Sequence, residues 1–141
     1  MRMSREVVGD VVLVNDAYNA NPRSMEAAIL ELSARLCTGR RVMVLGDMLE
    51  LGQLSAELHH EVGRLAADAA LDQLILVGDL TRATAAGALE AGMSPDRVLH
   101  FDDVDEGIAR APGLVREGDV VLIKGSRATG LDRLVERLAG E

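Results

Sequence analysis

The sequence predicts an α/β domain built on a mostly parallel sheet of five or six strands, with helices on both faces. Three observations carry that expectation. Short apolar runs rich in β-branched residues recur along the chain, segments of helical periodicity separate them, and the connections between are short. A chain of 141 residues is one domain in size. Folding at that length buries about 68–70% of the unfolded surface, so residues 1–141 are read as a single domain.

The elements follow in order. Val11–Val14 (VVLV) is the first apolar run. Asp10 before it and the long turn after Asp16 leave its direction in the sheet open. Asn21 then reads as an N-cap and Pro22 as the first turn of a helix, whose apolar face is Met25, Ala28, Ile29, Leu32 and Leu36 at i, i+3, i+4, i+7 spacing. Val42–Leu45 (VMVL) is the next strand. Leu58, Val62, Leu65, Ala66 and Ala69 mark a helix with Ser55 as its expected cap. Strand Leu74–Val77, helix Thr81–Ala91, strand Val98–Phe101, helix Val104–Ala111, strand Val120–Ile123 and helix Leu131–Ala139 complete the alternation.

Composition removes several function classes. Tyr18 and Phe101 are the only aromatic residues, so single-stranded nucleic acid has no stacking platform. A net charge of −8, from 15 basic and 23 acidic residues, opposes a phosphate backbone as well. No nucleic-acid partner is expected. No run reaches the roughly 20 apolar residues of a membrane span, and no apolar leader opens the chain, which sets the expectation of a cytoplasmic protein. The single cysteine, Cys37, reads as a buried, inert thiol.

In open α/β sheets ligands sit at the carboxyl ends of the strands. That rule selects four loops: Asn15–Pro22 (NDAYNANP), Gly46–Gly52 (GDMLELG), Gly78–Arg82 (GDLTR) and Lys124–Gly130 (KGSRATG). Neither a Walker A loop nor GxGxxG occurs. Gly125 and Gly130 have the GxxxxG spacing, but Leu131-Asp132 follows instead of Lys-Ser/Thr. Lys124, Ser126 and Arg127 before a helix still offer an anion site. The asparagines and Tyr18 of the first loop serve either the turn or a ligand. Asp47 and Glu50 are either a carboxylate pair for an ammonium group or a metal-bound water, or an acidic turn over buried leucines. HExxH fails at His60, since Arg64 stands where the second histidine belongs, and no metal site is expected. Asp16, Asp79 and Lys124 also fit a receiver-like phosphoacceptor pattern.

Taken together, NDAYNANP (15–22), Ser24-Met25, VLGDMLELG (44–52), His59, Gly63 and IKGSR (123–127) resemble the C-terminal domain of a Mur ligase, over about Gly9 to Leu138. Within that family they look like the branch that adds D-alanyl-D-alanine to UDP-N-acetylmuramoyl-tripeptide. The resemblance implies a Rossmann-like domain that closes over the site. It implies ATP and Mg2+ as cofactors of the whole enzyme, with an N-terminal UDP-substrate domain and a central ATPase domain absent from this chain. ATP would activate the tripeptide carboxylate as an acyl phosphate, and the dipeptide amine would attack it. Asp16, Tyr18, Asn19 and Asn21 match the nucleotide side; Asp47, Glu50, His59, Lys124, Ser126 and Arg127 match the dipeptide or cleft side. The chain alone is expected to catalyse nothing. The alternatives are a stand-alone amino-acid or nucleotide binding module and the receiver-like domain.

Overall fold

Residue pairing across the sheet decides the architecture of this chain. The computed structural model describes residues 4–8, 11–16, 21–35, 39–125 and 129–138. Its strands are β1 (Ser4–Val8), β2 (Val11–Asp16), β3 (Arg41–Gly46), β4 (Gln73–Val77), β5 (Val98–Phe101) and β6 (Val120–Lys124). The helices are α1 (Pro22–Ala34), α2 (Ser55–Asp68), α3 (Thr81–Glu90), α4 (Val104–Arg110) and α5 (Asp132–Leu138). The strands form one sheet in the order β1-β2-β6-β3-β4-β5. Every neighbouring pair is parallel except β1 with β2, an antiparallel hairpin in register from Ser4↔Asn15 to Val8↔Val11.

The first apolar run is therefore an ordinary parallel member, paired with β6, and the reversed strand is one the periodicity does not reveal. Ser4-Arg5-Glu6 is too polar to read as a strand, yet an antiparallel edge strand tolerates it because one side has no neighbour to satisfy.

Side chains alternate between two cores. Met43, Leu45, Leu74, Leu76, Val120 and Leu122 face α1, α2 and α3, meeting Met25, Ile29, Leu32, Val62, Ala66 and Ala88. Val42, Val44, Ile75, Val77, Val121 and Ile123 face the other way, onto Ile108 of α4, Leu131, and Leu134 and Val135 of α5. β3, β4 and β6 are buried along almost their whole length, which explains their continuous hydrophobicity.

Helix α1 begins as its sequence predicts. The Asn21 side chain accepts from the Ser24 N–H at 2.9 Å, and Ser24 Oγ accepts from the Asn21 N–H at 3.1 Å, a reciprocal capping box. The expected Ser55 cap is not one. Leu54 occupies the N-cap position of α2 without a side-chain bond, because a 3-10 turn over Gly52–Leu54 leads straight into the helix. Cys37 lies outside the described residues. Among the described residues no helix is long and apolar enough to cross a membrane.

Candidate functional site

The strand order brings together the strand ends from which three of the four selected loops begin. Asp16 is in register with Lys124, and Lys124 with Leu45, so the carboxyl ends of β2, β6 and β3 lie side by side. The loop after β3 leaves toward α2 on one face, while the chain after β6 leaves toward α5 on the other. Divergence of adjacent loops to opposite faces opens a crevice at a topological switch point. Its floor needs glycine. A Cβ on Gly125 would lie 3.2 Å from the Gly46 Cα and 2.8 Å from Leu131 Cδ1, and one on Gly46 would lie 2.6 Å from that same carbon.

Along the crevice the segment after β3 is held at successive residues. Asp47 Oδ1 accepts from the Thr81 N–H at 3.1 Å, and Thr81 Oγ1 donates to the Gly78 carbonyl at 2.7 Å. Gly78 has φ +121°, and a Cβ there would meet the Asp47 carboxylate at 2.5 Å. Burial pushes the Asp47 carboxyl above its ordinary range, against the lowering effect of the Thr81 and Leu80 N–H groups. The next residue, Met48, is buried, and its N–H donates to His59 Nε2 at 3.0 Å. Glu50 is exposed and sits at φ +64°, a left-handed conformation unusual for a residue with a side chain. Beside this segment Gly52, Gln53, Ser55, Asp79, Leu80 and Arg82 line an open groove of about 490 Å³.

Residues 1–127 match the family described as Mur ligase, glutamate ligase domain. The chain belongs to the Mur ligase family. It is 36% identical over 126 residues to the UDP-N-acetylmuramoyl-tripeptide--D-alanyl-D-alanine ligase of Bacillus subtilis, covering 89% of this chain and 27% of the relative. A crystal structure of MurF from Acinetobacter baumannii superposes with a TM-score of 0.84 at 31% identity, over 98% of this chain and 30% of that one. MurF from Thermotoga maritima in complex with ADP gives 0.75 at 28% identity, over 96% and 29%. The chain thus spans less than a third of the length of these relatives.

As a Mur ligase C-terminal domain, the structure sorts the predicted residues. Asp47 and Glu50 lie on the segment that follows β3. His59 does not face the cleft: it is 1% exposed, with both ring nitrogens bonded inside the domain. Lys124, the last residue of β6, is 0% exposed. Asn21 is exposed, and its side-chain oxygen is engaged in the α1 cap. Asp16 ends β2. Tyr18, Asn19, Ser126 and Arg127 lie outside the described residues.

The receiver-like pattern fails on strand order. β6 and β3 intervene between β2 and β4, so at roughly 4.8 Å per strand the ends carrying Asp16 and Asp79 are about 14 Å apart. Among the described residues no three His, Cys, Asp or Glu side chains are grouped to hold a metal. Two partners escaped the sequence. Thr81, at 0% exposure, orients Asp47, and the predicted strand residue His100 bonds the Gly78 carbonyl through Nε2 at 3.0 Å. A threonine opening a helix after Gly-Asp-Leu was the available signal for the first; nothing local marked the second.

Proposed function

We propose that this chain is the C-terminal domain of the ATP-dependent ligase that joins D-alanyl-D-alanine to UDP-N-acetylmuramoyl-tripeptide in peptidoglycan precursor synthesis. The observation that carries the reading is the juxtaposition of the carboxyl ends of β2, β6 and β3, together with relatives more than three times as long. The loop of Asp16, Tyr18, Asn19 and Asn21 serves the nucleotide. Asp47 and Glu50 offer carboxylates to the ammonium end of the dipeptide, and Ser126 and Arg127 offer donors to its carboxylate. Phosphoryl transfer belongs to a P-loop domain elsewhere in the polypeptide, since this sequence has none. The domain's contribution is orientation of the reactants and exclusion of water on closure, in the cytoplasm.

The test is a ligation assay with ATP, UDP-N-acetylmuramoyl-tripeptide and D-alanyl-D-alanine. The full-length polypeptide forms the amide bond, and the 141-residue chain alone does not. In the full-length enzyme Arg127→Ala raises KM for the dipeptide roughly tenfold or more with little change for ATP, as loss of a charge-assisted bond requires. Asp16→Ala shows the reverse pattern. An Arg127→Ala enzyme with raised ATP KM and unaltered dipeptide KM would move that loop to the nucleotide.

A further inference from the structure

Buried inside the domain, His59 touches no surface, yet its two ring nitrogens connect α2 to the crevice loop. Nδ1 lies 2.8 Å from the Ser55 carbonyl oxygen, which only accepts. Nε2 lies 3.0 Å from the Met48 N–H, which only donates. These two partners admit one arrangement: a neutral imidazole protonated on Nδ1, with Nε2 as a bare acceptor. The amide it holds belongs to the residue between Asp47 and the Leu49-Glu50 pair. Glu50, at φ +64°, persists in a costly conformation only where its surroundings over-determine it. The fixed points on its N-terminal side are the buried Met48 side chain, the Met48 amide and the Asp47–Thr81 bond.

We propose that His59 is a positioning residue for the ligation, fixing the Met48 amide through Nε2 so that Asp47 and Glu50 are presented to the amino component. The proposal rests on the function given above and adds to it a residue that never meets substrate. Its action is orientational: a carboxylate misplaced by about 1 Å loses much of its value to the reaction.

Two substitutions separate the ring nitrogens. His59→Gln carries an amide oxygen out to the Nε2 position and keeps an acceptor for Met48; His59→Asn reaches only as far as Nδ1 and does not. In the 141-residue chain, hydrogen exchange of the Met48 amide speeds up roughly tenfold or more in His59→Asn and less than about threefold in His59→Gln. In the full-length enzyme KM for D-alanyl-D-alanine rises in the same order, with KM for ATP unmoved. A purely structural histidine would produce equal effects in the two variants. Equal Met48 exchange in both overturns the proposal, as does lost Met48 protection with no change in dipeptide KM. Nitrogen-15 spectra of wild-type His59 decide the matter without any variant, since a proton found on Nε2 contradicts it outright. A full-length enzyme with no ligase activity would instead refute the proposed function, and the Met48 exchange and the tautomer would still report on His59.

Discussion

Asp47 illustrates how a position proposed for function and one chosen for stability differ. Its carboxyl is raised by burial, with the Thr81 and Leu80 N–H groups pulling the other way and losing. A raised carboxyl favours the protonated fold, so stability is greatest below the ordinary carboxylate value of 3.8 and falls as pH rises through the folded value. Asn at this position keeps an oxygen for the Thr81 N–H and removes the charge. Asp47→Asn is therefore expected to melt higher than wild type at pH 7, with the difference vanishing near pH 3, while ligation by the full-length enzyme falls. Thermal melts at the two pH values check the first half. A variant that melts lower at pH 7 would mean that the carboxylate stabilises the loop. The loop itself was legible from its glycines, acids and place after a strand. The burial of His59 and Lys124 was not, because composition does not say which polar group lies beneath its neighbours.

Among the described helices, α2 and α3 pack backbone against backbone. A Cβ on Gly63 would lie 2.0 Å from the Thr84 carbonyl oxygen, and one on Gly87 would lie 2.0 Å from the His60 carbonyl oxygen. Backbone meets backbone at both points, so an added methyl separates the helices instead of displacing a flexible side chain. Gly63→Ala is expected to lose about 2 kcal/mol by urea denaturation, within the usual range for overpacking. Gly113→Ala, where a Cβ meets nothing within 4 Å, is expected to stay within about 0.5 kcal/mol and serves as its control. The helices and five of the strands were readable because each writes its period into consecutive residues. The hairpin mate β1 was not, since five residues beginning Ser-Arg-Glu carry no alternation that distinguishes them from a leader.

At the scale of the whole molecule, one ion pair closes the amino edge of the sheet. Asp119 is 1% exposed and receives Arg40 through Nη2 at 2.9 Å and Nε at 3.3 Å, with the Arg40 and Arg116 N–H groups at 3.0 and 2.9 Å. Arg40 also reaches the Leu114 carbonyl and Gln73 Oε1, so segments far apart in sequence meet on one guanidinium. Burial alone would raise the Asp119 carboxyl, but the Arg40 hydrogen bonds and charge, together with the Arg116 N–H, outweigh it and hold the carboxyl below its ordinary value. The stability from a lowered carboxyl is fully present above the unfolded value of 3.8 and lost as pH falls through the folded one. Asp119→Asn is expected to cost about 3 kcal/mol at pH 7, as breaking a buried pair does, and progressively less in acid below pH 3.8. Denaturant midpoints between pH 7 and pH 2 test this; a constant difference across the range would remove the ion pair as its cause.

By itself the sequence determined the α/β class, the positions of most elements and the resemblance to Mur ligases. These are properties of local period, turn chemistry and contiguous motifs. Only the tertiary structure decided that β6 lies between β2 and β3, that the hairpin extends the sheet beyond β2, that His59 is buried against the Met48 amide and that Arg40 and Asp119 lock the far edge. Those outcomes depend on which strand pairs with which across the sheet, and that choice is settled by the summed packing of distant surfaces, which no window of neighbouring residues contains.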